Sequence, residues 1–343
     1  MIIRSKAPLR LGLAGGGTDI ASYYNLYGGY VLNATVDMYA YCTIEPTDRG
    51  KIEFIAADLK INEEYNTTEK LSVSNTLSLY SGIYNRIISD YSIKPLSFKM
   101  TTYSDAPAGS GLGSSSTMVV AIIKAFEEWL NLPLGEYDIA ALACKIERED
   151  IGLAGGKQDQ YAATFGGFNF MEFYDNEKVI VNPLRLKRWI RNELEASLVL
   201  FYTGVSRESA NIIKEQIQHT INGDKKNIEG MHEMKNQAVL MKEALLKGDF
   251  KGFSSCLLNG WLAKKNAASS ITNTFLDELY KYALDNGAES AKISGAGGGG
   301  FMMIYCNPCN RISLISALKK KDGIVLTPSF TETGSQAWTI YNN

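Results

Sequence analysis

The 343-residue chain is 45% hydrophobic and 21% charged, with a formal net charge of −2. This is the balance of a water-soluble globular protein long enough for two packed domains, and it excludes wholesale disorder. The slightly acidic balance speaks against a surface that coats nucleic acid, which needs clustered Lys and Arg.

The longest apolar runs, such as Met118 to Ile123, fall far short of a bilayer-crossing helix, so no membrane partner is expected. The start Met-Ile-Ile-Arg-Ser-Lys lacks a signal peptide's apolar core, and a cytoplasmic location is expected. Five cysteines is an odd count in a long chain and fits reduced thiols. Cys306 and Cys309 form one CxxC without a second, so a metal or redox site is not expected there. His219 and His232 sit among polar residues with helical spacing and read as surface histidines, which argues against a Ser-His-Asp triad or a His-rich metal site.

In chain order, Ile2 to Leu13 reads as extended and runs into Ala14-Gly15-Gly16-Gly17, where backbone and ligand can approach closely. Tyr30 to Glu45 looks like a strand pair. Asn75 to Asp90 has helical spacing, and Leu96 to Thr102 alternates as a half-buried strand feeding a second glycine-rich segment. Met118 to Leu130 predicts a buried helix, and Tyr137 to Ile151 another that ends near Gly152. Ala196 to Thr203 reads as a strand, followed by helices over Ser206 to Ile221, Asn227 to Gly248 and Thr274 to Asn286. A third glycine-rich segment then enters the strand Phe301 to Tyr305. Lys319-Lys320-Lys321 reads as a solvated helix end. Strands alternating with helices fit an α/β or α+β architecture, with the polar stretch Tyr174 to Pro183 as the place where the chain divides, into residues 1–175 and 176–343.

The segment Pro107 to Thr117 lies between a strand and a helix and carries Gly109, Gly111 and Gly113. Its glycines let N–H groups turn toward an anion, the helix N-terminus adds its positive dipole, and its hydroxyls can cap the helix or reach a metal. A plain Ser-capped helix after a flexible loop fits the same letters. No GxxxxGK[ST] occurs, and the HRD and DFG signatures of protein kinases are missing. Gly295 to Gly300 satisfies GxGxxG, yet it leads into a strand rather than a helix, the reverse of a dinucleotide fingerprint.

Together the three segments resemble the three motifs of the galactokinase, homoserine, mevalonate and phosphomevalonate kinase (GHMP) superfamily. Pro8-Leu9-Arg10 through Asp19 is similar to motif one, Pro107 to Thr117 to motif two, and Lys292 through Phe301 to motif three. The resemblance implies an α+β, two-domain fold, with an N-terminal ribosomal-S5-like domain, a C-terminal ferredoxin-like domain, and ATP and substrate in the cleft between them. It implies phosphate contacts from Pro107, Gly109, Ser110, Gly111, Leu112, Gly113, Ser114, Ser115 and Ser116.

It further implies Asp159, in Gly155-Gly156-Lys157-Gln158-Asp159-Gln160, as the catalytic carboxylate that either accepts the substrate hydroxyl's proton or orients that hydroxyl; a loop Asp capping Tyr161 onward fits the same place. Arg10 resembles the basic residue that balances this carboxylate, although a strand-surface Arg fits too. Glu147 and Ser115 resemble the Mg2+ ligands, while Glu147 and Glu149 fit equally a solvated helix face paired with Lys145 and Arg148. Gly17, Thr18 and Asp19 are expected on the sugar, as are Gly297 and Gly298 of motif three.

Where galactokinase-like motif one reads Gly-Glu-His-Thr-Asp, this chain has Gly15-Gly16-Gly17-Thr18-Asp19. That form resembles the branch of D-glycero-D-manno-heptose 7-phosphate kinases and, less closely, fucose kinases. The expected activity is ATP-dependent phosphorylation of the anomeric oxygen of the heptose 7-phosphate, with a fucokinase-like enzyme or an inactive sugar sensor as alternatives. A phosphorylated sugar needs a second anion site, for which Ser206 and Arg207 at a helix start, or Lys157, are candidates. The oligomeric state stays open.

Overall fold

The computed structural model describes residues 1–107, 109–204 and 209–341. The strands are β1 (Ile2–Ala14), β2 (Gly29–Pro46), β3 (Lys51–Ala56), β4 (Ile61–Asn66), β5 (Phe98–Ser104), β6 (Phe168–Phe173), β7 (Val179–Pro183), β8 (Leu198–Tyr202), β9 (Ala288–Ile293), β10 (Phe301–Cys306), β11 (Ile324–Leu326) and β12 (Gln336–Ile340). The helices are α1 (Ala21–Tyr27), α2 (Ser78–Asp90), α3 (Ser114–Leu130), α4 (Glu136–Lys145), α5 (Gln158–Phe165), α6 (Arg188–Ser197), α7 (Ser209–Ile221), α8 (Lys225–Lys247), α9 (Phe250–Ala267), α10 (Thr274–Asp285) and α11 (Arg311–Leu318). A π-turn over Ile146–Asp150 extends α4. None of the described helices is long and apolar enough to cross a membrane.

An eight-stranded sheet runs β12-β1-β2-β5-β3-β4, with β6 on β2 and β7 on β6. A four-stranded antiparallel sheet runs β11-β8-β10-β9. The strand pair expected over Tyr30 to Glu45 is instead one 18-residue strand. Its first part pairs with β6 and its last part with β5, so the change of partner near Asp37, not a turn, breaks its pattern. The expected division after residue 175 falls within the β6–β7 hairpin, and β12 returns to β1. The first sheet thus draws on both sides of that division.

The period of two in the strands joins the two sheets. Leu198 and Leu200 of β8 pack with Leu9, Leu11 and Leu13 of β1 and with Met241 and Phe253 of the α8–α9 pair. Their neighbours Val199 and Phe201 face the other way, into a core with Trp261, Leu276 and Leu314. On the far side of the first sheet, α2 and α3 cover Ile44, Phe54 and Met100. One apolar layer therefore welds the halves, burying β1 on both faces from Ala7 onward.

Candidate active site

The three glycine-rich segments meet at the ends of β1, β5 and β10. The Phe301 N–H donates to Ser110 O at 2.8 Å, the Ser294 hydroxyl to Gly111 O at 2.9 Å, and the Arg10 N–H to Leu112 O at 3.1 Å. A Cβ on Gly111 would lie 2.5 Å from Ser294 O, and one on Gly295 2.7 Å from the Gly111 Cα. Only hydrogen fits between these backbones.

Helix α3 begins after Gly113 with no side-chain cap, so the Ser-capped alternative does not describe it. The first N–H groups of the helix stay open at the rim of a cavity lined by Gly109, Gly111, Gly113, Ser114, Ser115 and Ser116. Pro107, Ser110 and Leu112, expected to touch phosphate, do not line that cavity. Pro107 is exposed and accepts from Ser110 N–H, Ser110 is buried beneath the loop, and Leu112 belongs to the apolar layer.

Arg10, only 3% exposed, crosses the floor. Its Nε and Nη2 donate to Asp159 Oδ1 at 2.7 and 2.6 Å, and its Nη1 donates to Gly111 O at 2.6 Å. It is no strand-surface arginine. Asp159 sits in the first turn of α5, not in a loop, and the helix is capped by another carboxylate.

That carboxylate is Asp19. It accepts from the N–H groups of Gly17, Lys157 and Gln158 at 2.9, 2.9 and 3.0 Å and from the Gln158 amide at 3.1 Å. Its lone pairs are thus met inside the chain, so a sugar hydroxyl would have to displace a protein donor. Asp19 lines the cavity and also positions α5, and hence Asp159. Thr18 is fully buried and off the cavity: its hydroxyl bonds Gly15 O and Tyr30 O and accepts from Tyr30 N–H, completing the turn. Gly17 does line the cavity.

Glu147 lies on the π-turn, a distortion common at functional sites. Ser116 donates to it at 2.9 Å and the Gln160 amide takes its other oxygen, whereas the expected neighbour Ser115 is exposed and makes no such bond. Burial raises the Glu147 pKa, while Arg148, Gln160 and Ser116 pull it down. A cation beside it would favour the charged form. No group of three or more His, Cys, Asp or Glu ligands occurs among the described residues. Hard oxygens from Ser115, Glu147 and Asp159 around one cavity fit magnesium, which completes its shell with phosphates and water rather than an all-protein cage.

Motif three reaches the cavity through Gly295 and Ala296. Gly297 and Gly298, expected on the sugar, instead pack against Ile271, where the Gly298 N–H donates to Ile271 O at 2.8 Å and a Cβ on Gly297 would lie 2.9 Å from that oxygen. Lys157 turns away into an adjoining pocket, pairs with Glu177 and lies 5.2 Å from the Tyr24 ring centroid. Burial lowers its pKa. Ser206 and Arg207 lie outside the described residues.

Four features escaped the sequence reading. Gln160 braces Glu147, and its signal was only its place one residue past Asp159. Gln216 on α7 and Lys264 on α9 line the cavity from the second half. Lys264 is 4% exposed, its Nζ donates to Gly295 O, and burial together with Arg10 lowers its pKa to about 8. On the other side of Ser114 and Ser115 opens a mainly apolar pocket with Leu59, Leu77, Leu79, Tyr80 and Met118.

Family models for the GHMP kinases N terminal domain and the GHMP kinases C terminal region match residues 78–167 and 241–323. The chain is 53% identical over 338 residues to D-glycero-alpha-D-manno-heptose 7-phosphate kinase of Campylobacter jejuni subsp. jejuni serotype O:2, covering 98% of this chain and 99% of that protein. A crystal structure of a D-glycero-D-manno-heptose 1-phosphate kinase from Bacteriodes thetaiotaomicron superposes with a TM-score of 0.85 at 48% identity, covering 99% of this chain and 100% of that one. Galactokinase of Lactococcus lactis complexed with galactose shares the fold, with a TM-score of 0.79 at 19% identity over 98% of this chain and 95% of that one. With motifs, fold and relatives in agreement, the chain belongs to the GHMP kinase family.

Proposed function

We propose that this protein transfers the γ-phosphoryl group of ATP to the anomeric oxygen of D-glycero-α-D-manno-heptose 7-phosphate, giving the 1,7-bisphosphate and ADP. The observation that carries the chemistry is the buried Arg10–Asp159 pair set against the uncapped N-terminus of α3. In the transfer the sugar O1–H bond and the bond from the γ-phosphorus to its bridging oxygen break, and an O1–phosphorus bond forms. Asp159 receives or orients the hydroxyl proton, and Arg10 holds the carboxylate in place. The open N–H groups of Ser114 to Ser116 meet the phosphate oxygens. The apolar pocket beside Ser114 suits the base of the nucleotide.

Ser115 and Glu147 would hold magnesium, which when bound offsets the charge of the phosphate oxygens. Ser115→Ala and Glu147→Gln should each raise the magnesium concentration that gives half-maximal rate, since each removes an oxygen ligand or its charge. Unchanged magnesium titrations in both variants would exclude direct ligation.

The identity to the Campylobacter enzyme supports the sugar. The two heptose kinase relatives carry names that put a phosphate at different carbons, so the acceptor is best tested directly. An ADP-release assay should show fastest turnover with heptose 7-phosphate among free heptose, heptose 1-phosphate, fucose and galactose. A preference for any unphosphorylated sugar would overturn the heptose phosphate reading.

A further inference from the structure

Motif one lines the cavity with Gly16, Gly17 and Asp19, yet Thr18 is buried in its turn and the Asp19 carboxylate already accepts from four protein donors. The wall contributed by α7 and α9 is different. Gln216 is 2% exposed and lines the cavity, yet its Nε2 finds no hydrogen-bond partner among the described residues. A Cβ on Gly17 would lie 3.9 Å from its Oε1, which puts the amide at the motif-one end of the cavity. Lys264 also lines the cavity, bonded to the Gly295 carbonyl and without an ion pair among the described residues. A buried amide and a buried ammonium with spare donors are costly unless a ligand meets them.

A ligand dense in oxygen acceptors matches that wall, and the acceptor sugar must lie in this cavity for its hydroxyl to reach Asp159. Resting on the reading of the chain as a heptose phosphate kinase, we propose that Gln216 and Lys264 are specificity-determining residues that donate hydrogen bonds to oxygens of the acceptor sugar. Arg10 and Asp159 hold the reacting end of the sugar from the first half, and α7 and α9 grip it from the second. Burial and the field of Arg10 have weakened the hold of Lys264 on its proton, and an oxygen acceptor restores it. The proposed nucleotide-base pocket opens on the far side of Ser114 and Ser115, and neither Gln216 nor Lys264 lines it.

The test is steady-state kinetics and thermal unfolding of full-length Gln216→Met and Lys264→Met, with whichever sugar the wild type turns over fastest. Each substitution keeps much of the side chain's volume and removes a donor. The KM for the sugar should rise about tenfold or more, the equivalent of one good hydrogen bond, with the KM for ATP unchanged. Because Gln216→Met also removes an unmet buried donor, its Tm should stay level or increase, as at sites where function is held against stability. A merely structural role would lower Tm and shift both KM values together. A sugar KM within about twofold of wild type in Gln216→Met, or equal shifts for both substrates, would overturn the proposal. Should Lys264→Met fail to fold, Gln216→Met decides alone. Failure of the heptose phosphate reading shows separately, as a wild-type preference for another sugar, and leaves the ratio of variant to wild type on that sugar interpretable.

Discussion

Asp159→Asn should lower kcat by roughly two to four orders of magnitude while ATP still binds. The substitution keeps the size of the side chain but removes the charge that Arg10 answers through Nε and Nη2. The amide cannot take the hydroxyl proton, and Arg10 is left with an uncompensated buried charge. Nucleotide affinity should hold, because the phosphate-facing N–H groups belong to α3 and its loop, not to α5. Calorimetric titration with ATP and turnover of the same sample separate the two effects. Wild-type turnover in the variant would remove Asp159 from the reaction.

Gly111→Val should abolish measurable ATP binding and lower Tm by roughly 5 °C or more. From sequence alone this change is expected to weaken ATP binding without unfolding the domain. The interlock of motifs two and three says otherwise. Gly111 has φ +81°, its Cβ would stand 2.5 Å from Ser294 O, and its own carbonyl accepts from both Arg10 and Ser294. A side chain there strains the loop, parts the two halves and drags Arg10 from Asp159. A variant with unchanged Tm and weakened ATP binding would show that the loop moves independently of motif three.

The three glycine segments were legible because glycine stands where backbones touch, each after a strand; Arg10, Asp159 and Glu147 stood out only through the resemblance of their segments to the GHMP motifs, and the structure brings all three to one cavity. Which face a residue of those patterns presents was not legible. Thr18 and Asp19 read as ligands for a sugar, yet tertiary partners as distant as Tyr30 and Gln158 claim them. Gly297 and Gly298 read as substrate contacts because one glycine looks like another, and only the approach of Ile271 tells them from Gly295. Lys264 was missed with its helix. Gly252 and Gly260 weaken the helical signal of α9, and the helix is held by packing on α8 and β9 instead of by propensity. Likewise β2 looked like two strands because its partners change near Asp37, which no local pattern reports.

The central claim, transfer to the anomeric oxygen of a sugar that already carries a phosphate, is tested most directly by phosphorus NMR of the product formed from ATP and D-glycero-α-D-manno-heptose 7-phosphate. The account predicts one new resonance coupled to the anomeric proton, with the 7-phosphate signal retained and ADP appearing in equal amount. A new phosphate on any other carbon, or ADP without a new sugar phosphate, would contradict it.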